Sequence, residues 1–331
     1  MKPRERMINA LNFTEPDDTV ASWDIEFHLY QQLLGKTPIV GMEFDKLSER
    51  EKERAVNKNA EIFIETAEKL DVSAICALPG YWENAPGIPA VLWIREPKWR
   101  SAQIKACKDA GGDKYFIIAV SDSTVGIPPG NKLEEFAVML YEQPDEFVKL
   151  LEIRLQAGID EGMRAAEQGA DALLNASDIA FNTGCFFSPD QFDVFIGPYL
   201  ERWASRFKRE GLYTIYHTDG NIERIMKKLA ATGISALQCI DPIAGMDIVK
   251  LKDEYYGKIT LIGNVDTRTL ELGTDEEIEN ECRYILEGCK NGGGFVFGSC
   301  NAIHAGIPLE KYMLMVDAKR KYGCLRKNFN C

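Results

Sequence analysis

Paired cysteines, glycine-rich phosphate loops and long apolar runs are missing from this 331-residue chain, and histidine is scarce, with three copies. There are nine cysteines, an odd number, and no two stand in a CxxC spacing. That argues against a zinc ribbon, a thioredoxin-type pair or a disulfide framework, and most of the thiols are expected to be buried. No Gly-x-Gly-x-x-Gly follows the first strand-like run, so the mark of a dinucleotide-binding sheet is absent. No stretch approaches the ~20 apolar residues of a membrane span. The opening Met1-Lys-Pro-Arg-Glu-Arg-Met-Ile-Asn-Ala-Leu interrupts its apolar residues with charge, unlike a signal peptide, so the expected location is cytoplasmic. A net charge of −12 argues against a broad nucleic-acid or anionic-membrane surface.

What is present is a rhythm of short buried runs, each closed by polar residues. Helix Pro3 to Leu11 precedes a first strand at Val20 to Trp23, closed by Asp24-Ile-Glu-Phe-His28. A charged helix from about Phe44 to Leu70 leads to a second strand, Val72 to Cys76, and Trp93 to Trp99 reads as an inserted hairpin. Later strands are expected at Tyr115 to Val120, Asp171 to Ala176, Leu212 to His217, Ile234 to Ile240, Ile259 to Ile262 and Gly294 to Gly298. Ser188-Pro-Asp-Gln and Thr274-Asp-Glu-Glu277 mark helix starts. Eight strands separated by helical sequence predict a (β/α)8 TIM barrel, with an amino-terminal helical extension and a small hairpin after strand 2, as a single domain over 1–331.

In such a barrel the residues closing each strand share one rim, where sites are built. Here they are Asp24 with Glu26 and His28, then Cys76, Asp122, Asp178, His217 with Asp219, Cys239 with Asp241, Asn264 with Asp266, and Cys300 with His304. All three histidines fall in these loops. Asp178, Asp241 and Asp266 are either helix caps or chemistry. A strand-end histidine is satisfied by a backbone carbonyl or bound to metal; His217, Asp219 and Cys300 together offer imidazole, carboxylate and thiolate, a set that suits Zn²⁺ with an open position. Asp24, Glu26 and Asp178 are candidate catalytic groups, and His28, Tyr81, Trp82 and Asp122 candidate substrate contacts.

The opening Pro-Arg-Glu-Arg-Met-Ile-Asn-Ala-Leu-Asn-Phe-Thr-Glu-Pro-Asp, Ser188-Pro-Asp-Gln-Phe, His217-Thr-Asp-Gly-Asn, Ile240-Asp-Pro-Ile-Ala-Gly-Met-Asp247 and Leu261-Ile-Gly-Asn-Val-Asp266 resemble the uroporphyrinogen decarboxylase superfamily over nearly the whole chain. That resemblance implies a (β/α)8 barrel and two branches of function. The decarboxylases carry an arginine-rich segment after the first strand; here it reads Asp24-Ile-Glu-Phe-His-Leu-Tyr, without arginine. The methylcobamide:thiol methyltransferases of the superfamily bind zinc through a His-x-Cys near strand five and a Cys at strand eight; the matching positions here are His217, Asp219 and Cys300, with Asp replacing one Cys, and the His-x-Asp-Gly form is similar to the remaining branch, corrinoid-dependent methyltransferases that take methyl groups from methoxylated or methylamine-like compounds. The resemblance therefore implies methyl transfer between a small methylated compound, such as a methoxylated aromatic, and the cobalt of a corrinoid (cobalamin) carried by a partner protein. A metal-free lyase acting on a non-porphyrin acid and a non-catalytic barrel binding a corrinoid protein are the alternatives. A homodimer is the default assembly.

Overall fold

The computed structural model describes residues 1–16, 18–77 and 94–325. Eight parallel strands run in the order β1-β8-β7-β6-β5-β4-β3-β2. They are β1 Ala21–Ser22, β2 Ala74–Cys76, β3 Phe116–Val120, β4 Ala172–Ala176, β5 Tyr213–Thr218, β6 Ala236–Cys239, β7 Thr260–Val265 and β8 Phe295–Ser299. The seam between β1 and β2 is joined by a bond of 2.7 Å from the Ser73 amide to the Ser22 carbonyl. The expected eight-stranded barrel is thus the observed one.

Strand periodicity divides the core in two. Phe116, Ile118, Ala172, Leu174, Ile215, Ala236, Ile262 and Val296 fill the barrel, together with Met7, Ala10 and Leu11 of helix Pro3–Leu11, which plugs its amino-terminal end. The alternate residues, among them Ile117, Leu173, Tyr216, Leu237 and Phe297, face the outer helices and pack with side chains such as Leu151, Leu155, Trp203 and Phe207. Because both faces are buried, the strands read in sequence as continuous apolar runs.

Several expected elements differ in detail. The segment before Leu70 splits into Gly41–Asp45 and Glu49–Leu70, the second opened by a Ser48/Glu51 capping box. The helix starting after Ser188 breaks at Ile196 into Pro189–Phe195 and Gly197–Lys208, where Pro198 lacks the amide needed to continue the ladder. Of the expected hairpin, Pro97 to Trp99 instead opens helix Pro97–Gly111, a start that proline favours; residues 78–93, including Pro79, Tyr81, Trp82 and Trp93, lie outside the described residues. Among the described residues seven cysteines take part in no disulfide, whereas Cys324 is disulfide-bonded, a pairing that the scattered spacing did not predict. No helix among the described residues is long and apolar enough to cross a membrane.

Candidate active site

Inward parity carries beyond the last paired residue of β3, β4 and β5, and delivers Asp122, Asp178, His217 and Asp219 to one cavity at the carboxyl end of the barrel. The cavity measures about 880 Å³. Its floor holds those four side chains with Asn301, and its wall is apolar, built from Val125, Ile127, Phe136, Met139 and Leu150. Lys132 and Arg154 also line it.

At the floor His217 Nε2 lies 3.6 Å from Asp178 Oδ1 and 3.6 Å from Asp219 Oδ1. The ligand-capable atoms of these three residues all fall within 4.8 Å of one another, the one such group among the described residues. His217 is 6% exposed, and the state of its ring follows from its other neighbour. Gln238 donates its amide hydrogens to the carbonyls of Ser299 (3.3 Å) and Cys300 (3.1 Å). Its Oε1 is thereby turned to His217 Nδ1, and an amide oxygen can only accept. Nδ1 therefore carries the proton, and in the neutral ring Nε2 presents a lone pair to the two carboxylates.

The carboxylates are held as firmly. Asp219 Oδ2 accepts from Asn301 at 2.7 Å and Oδ1 from the Cys239 thiol at 3.1 Å; Asp178 Oδ1 accepts from the Asp219 amide at 2.9 Å. Burial raises the pKa of Asp219, His217 counteracts the shift and Asp178 adds to it. Asp122, bonded to the Ala176 amide at 2.9 Å, is pushed up to about 6 by burial. Cys239 owes its place to a strained turn: Cys239 (φ 100°) and Ile240 (φ 52°) both occupy the left-handed half of backbone space, which is costly for a β-branched residue.

The sequence-derived site residues divide accordingly. Asp178, His217, Asp219 and Asp122 come together. Cys300 stands outside the group: it is buried, its thiol is pushed up to about 12 by burial, and Thr267, Asp266 and Asp241 surround it. Asp24 is on the wrong face, since Ala21, Trp23 and Ile25 turn inward. Its Oδ1 accepts from the Ser299 amide and hydroxyl, both at 2.8 Å, and its Oδ2 from Tyr312 at 2.7 Å. With Glu26 it lines a small separate pocket against helix Glu49–Leu70, and Glu26 Oε2 lies 3.2 Å from His28 Nε2. Asp241 and Asp266 fasten loops: Asp241 accepts from the amides of Gly220 and Ile243, and Asp266 caps helix Thr267–Leu272. Gln238, Asn301, Lys132 and Arg154 were not among the expected residues; a glutamine inside the apolar run Ala236-Leu-Gln-Cys was the available signal.

The placement of Asp24 carries a prediction. Asp24→Ala leaves the Tyr312 hydroxyl and the Ser299 amide unpaired in the core, and should cost about 2–4 kcal/mol of stability in urea unfolding. The turnover of the protein that stays folded should change less than about threefold, since the side chain faces away from the cavity; a large loss of kcat at native stability would contradict this.

A family model described as Uroporphyrinogen decarboxylase (URO-D) matches residues 127–322. Uroporphyrinogen decarboxylase from Alkalilimnicola ehrlichii is 28% identical over 188 residues, covering 54% of this chain and 48% of the relative. The enzyme from Pseudoalteromonas atlantica is 30% identical over 155 residues, covering 44% and 41%. The chain thus spans about half the length of the curated relatives it matches. Among solved structures, a methyltransferase from Methanosarcina mazei superposes with a TM-score of 0.73 at 20% identity, over 97% of this chain and 99% of that one.

Proposed function

The chain belongs to the uroporphyrinogen decarboxylase family, and from that membership and the floor of its cavity we propose a zinc-assisted methyltransferase that passes a methyl group from a small methyl ether to the cobalt of a corrinoid on a partner protein. The observation that carries the reading is the buried Nε2 of His217, 3.6 Å from a carboxylate oxygen of Asp178 and 3.6 Å from one of Asp219. Decarboxylation of a porphyrinogen is disfavoured by the same floor. Asp122, Asp178 and Asp219 would repel a polycarboxylate, and the Asp24 to Tyr30 segment has no arginine to gather one.

His217, Asp178 and Asp219 would hold the metal, a nitrogen and two oxygens that fit a divalent cation of zinc type and leave a position open. When bound, zinc acts as a Lewis acid on the ether oxygen. Gln238 keeps the imidazole in the ligating tautomer, and Asn301 with Cys239 fixes Asp219, so the protein has already met the cost of orienting the donor set. The apolar part of the wall packs the body of the substrate. As the O–CH₃ bond breaks, its electron pair stays on oxygen, which takes a proton. Asp122 supplies that proton: its carboxyl, raised to about 6, is matched to donation near neutral pH.

The test uses purified protein loaded with zinc, cob(I)alamin as acceptor and methoxybenzenes as donors, with loss of the cob(I)alamin absorbance as readout. Alkylation that a chelator stops supports the reading. No alkylation from any methyl ether, with CO₂ released from a carboxylic acid instead, would make the protein a lyase. The proton assignment gives a signed prediction: kcat should fall about tenfold per unit as pH rises through about 6. Asp122→Asn should remove that limb at a lower rate.

A further inference from the structure

Strand β4 has one polar residue, Asn175, in the sequence Ala172-Leu-Leu-Asn-Ala176. Ala172 and Leu174 point into the barrel, so Asn175 points outward, into the layer where Leu173, Tyr216 and Leu237 pack against the helices. It is 0% exposed, and an amide buried so deeply is costly unless its groups are bonded. Here they are. Its Nδ2 donates to Ser123 Oγ at 2.8 Å and to Thr124 Oγ1 at 3.1 Å, and its Oδ1 accepts from Ser177 Oγ at 3.2 Å. Ser123 and Thr124 directly follow Asp122, and Ser177 directly precedes Asp178. One side chain behind the wall therefore ties together the two loops that bring these carboxylates to the cavity. The same loops also meet through their backbones: the Ile127 amide donates to the Asp178 carbonyl at 2.7 Å, and a Cβ on Gly126 would stand 2.9 Å from that oxygen. From β5, the Tyr216 hydroxyl donates to the Ser177 carbonyl at 2.8 Å.

We propose that Asn175 is a positioning residue, which binds the loop of Asp122 to the loop of Asp178 so that the two carboxylates are placed as one unit. An apolar residue would fill this outer layer without needing partners, whereas a fully bonded polar network fixes one arrangement of the groups that join it. The proposal deepens the methyl-transfer reading and rests on it for the roles of the two carboxylates, Asp122 as proton donor and Asp178 as metal ligand. Asn175 itself touches neither.

Two backbone amides report where the carboxylates stand without any need for metal or turnover: Ala176 N–H, which donates to Asp122 Oδ1, and Asp219 N–H, which donates to Asp178 Oδ1. Their resonances are measured by heteronuclear NMR, and the zinc Kd by calorimetry, in the full chain. In Asn175→Leu both amide protons should move upfield together, and the zinc Kd should rise about 10–100-fold, the usual loss when a group that orients a ligand is removed. Thr124→Val deletes only the arm in the Asp122 loop, yet it should move the Asp219 amide in the other loop. This milder variant keeps the test decisive where Asn175→Leu does not fold. Asn59→Leu is the control, because Asn59 is equally buried and makes three bonds of its own, two to the Ile39 backbone and one to Gln103. It should lower the urea midpoint and leave both amides and the zinc Kd unchanged. A folded Asn175→Leu with both amides in place overturns the proposal, as does an Asp219 amide that stays put in Thr124→Val. Equal changes in Asn59→Leu overturn it too, since any loosening of the fold would then suffice. Coupled amide shifts in a protein that binds no zinc and alkylates no cob(I)alamin leave the positioning role standing and remove the methyl-transfer reading, so the two failures are distinguishable.

Discussion

Replacing His217 with alanine is expected to lower kcat/KM by about 10³-fold or more, equivalent to about 4 kcal/mol of transition-state stabilisation, and to bring the zinc content of purified protein from about one per chain to near zero. The imidazole supplies the one nitrogen donor of the group, and its removal leaves two carboxylates, of which Asp178 is half exposed. Oxygen donors alone favour harder cations than zinc. The substitution also strands the Gln238 carbonyl oxygen, at a cost of about 1–3 kcal/mol, so far-ultraviolet dichroism must show that the variant is folded. Gln238→Leu separates orientation from ligation: it keeps Nε2 but frees the ring, and a loss of about 10–100-fold in metal affinity is expected. Full activity and full zinc in His217→Ala would sink the mechanism.

How far the site could be read from the sequence differs between residues of the same chemistry. Asp24 and Asp178 both close strands and look alike in the chain, yet one faces Tyr312 behind the barrel and the other the cavity. The difference is parity. In β3, β4 and β5 the inward register is carried by five or six paired residues and extends to Asp122, Asp178 and Asp219. In β1 two residues are paired, both buried, and burial on both faces erases the alternation that would have told inward from outward. Cys300 fails for another reason: by count it shares the parity of Val296 and Gly298, yet just past Ser299, the end of β8, its thiol is buried beside Thr267 and Asp266 and stays outside the ligand group. Gln238 stood out within the apolar run Ala236-Leu-Gln-Cys, but its role was not legible, because its amide is satisfied by carbonyls 61 and 62 residues away. The barrel itself was legible because every strand is a short buried run between helices, a pattern set by local composition and not by remote partners.

Gly298→Ala is expected to be the most destabilising single substitution argued for, at about 3 kcal/mol or more, seen as a lowered urea midpoint or as loss of soluble protein. Gly298 occupies the inward position of β8 after Val296. A Cβ there would stand 2.0 Å from the Trp23 carbonyl oxygen and 3.1 Å from its carbon. Backbone on both sides prevents relief. β8 is registered to β7 from Phe295↔Leu261 to Ser299↔Val265, and to β1 through Ala21↔Val296 and Ser22↔Phe297. The Trp23 amide adds a 2.9 Å bond to the Phe297 carbonyl. Moving β1 away would break that bond and pull Asp24 from Ser299, while moving β8 would displace Asn301, which holds Asp219. The same clash should therefore weaken zinc binding in whatever protein folds. Gly130→Ala is the control: a Cβ there meets nothing within 4 Å, and stability should stay within about 0.5 kcal/mol. Native stability and native zinc content in Gly298→Ala would show that the β8–β1 seam can open without disturbing the floor, and would remove the link between barrel closure and Asp219.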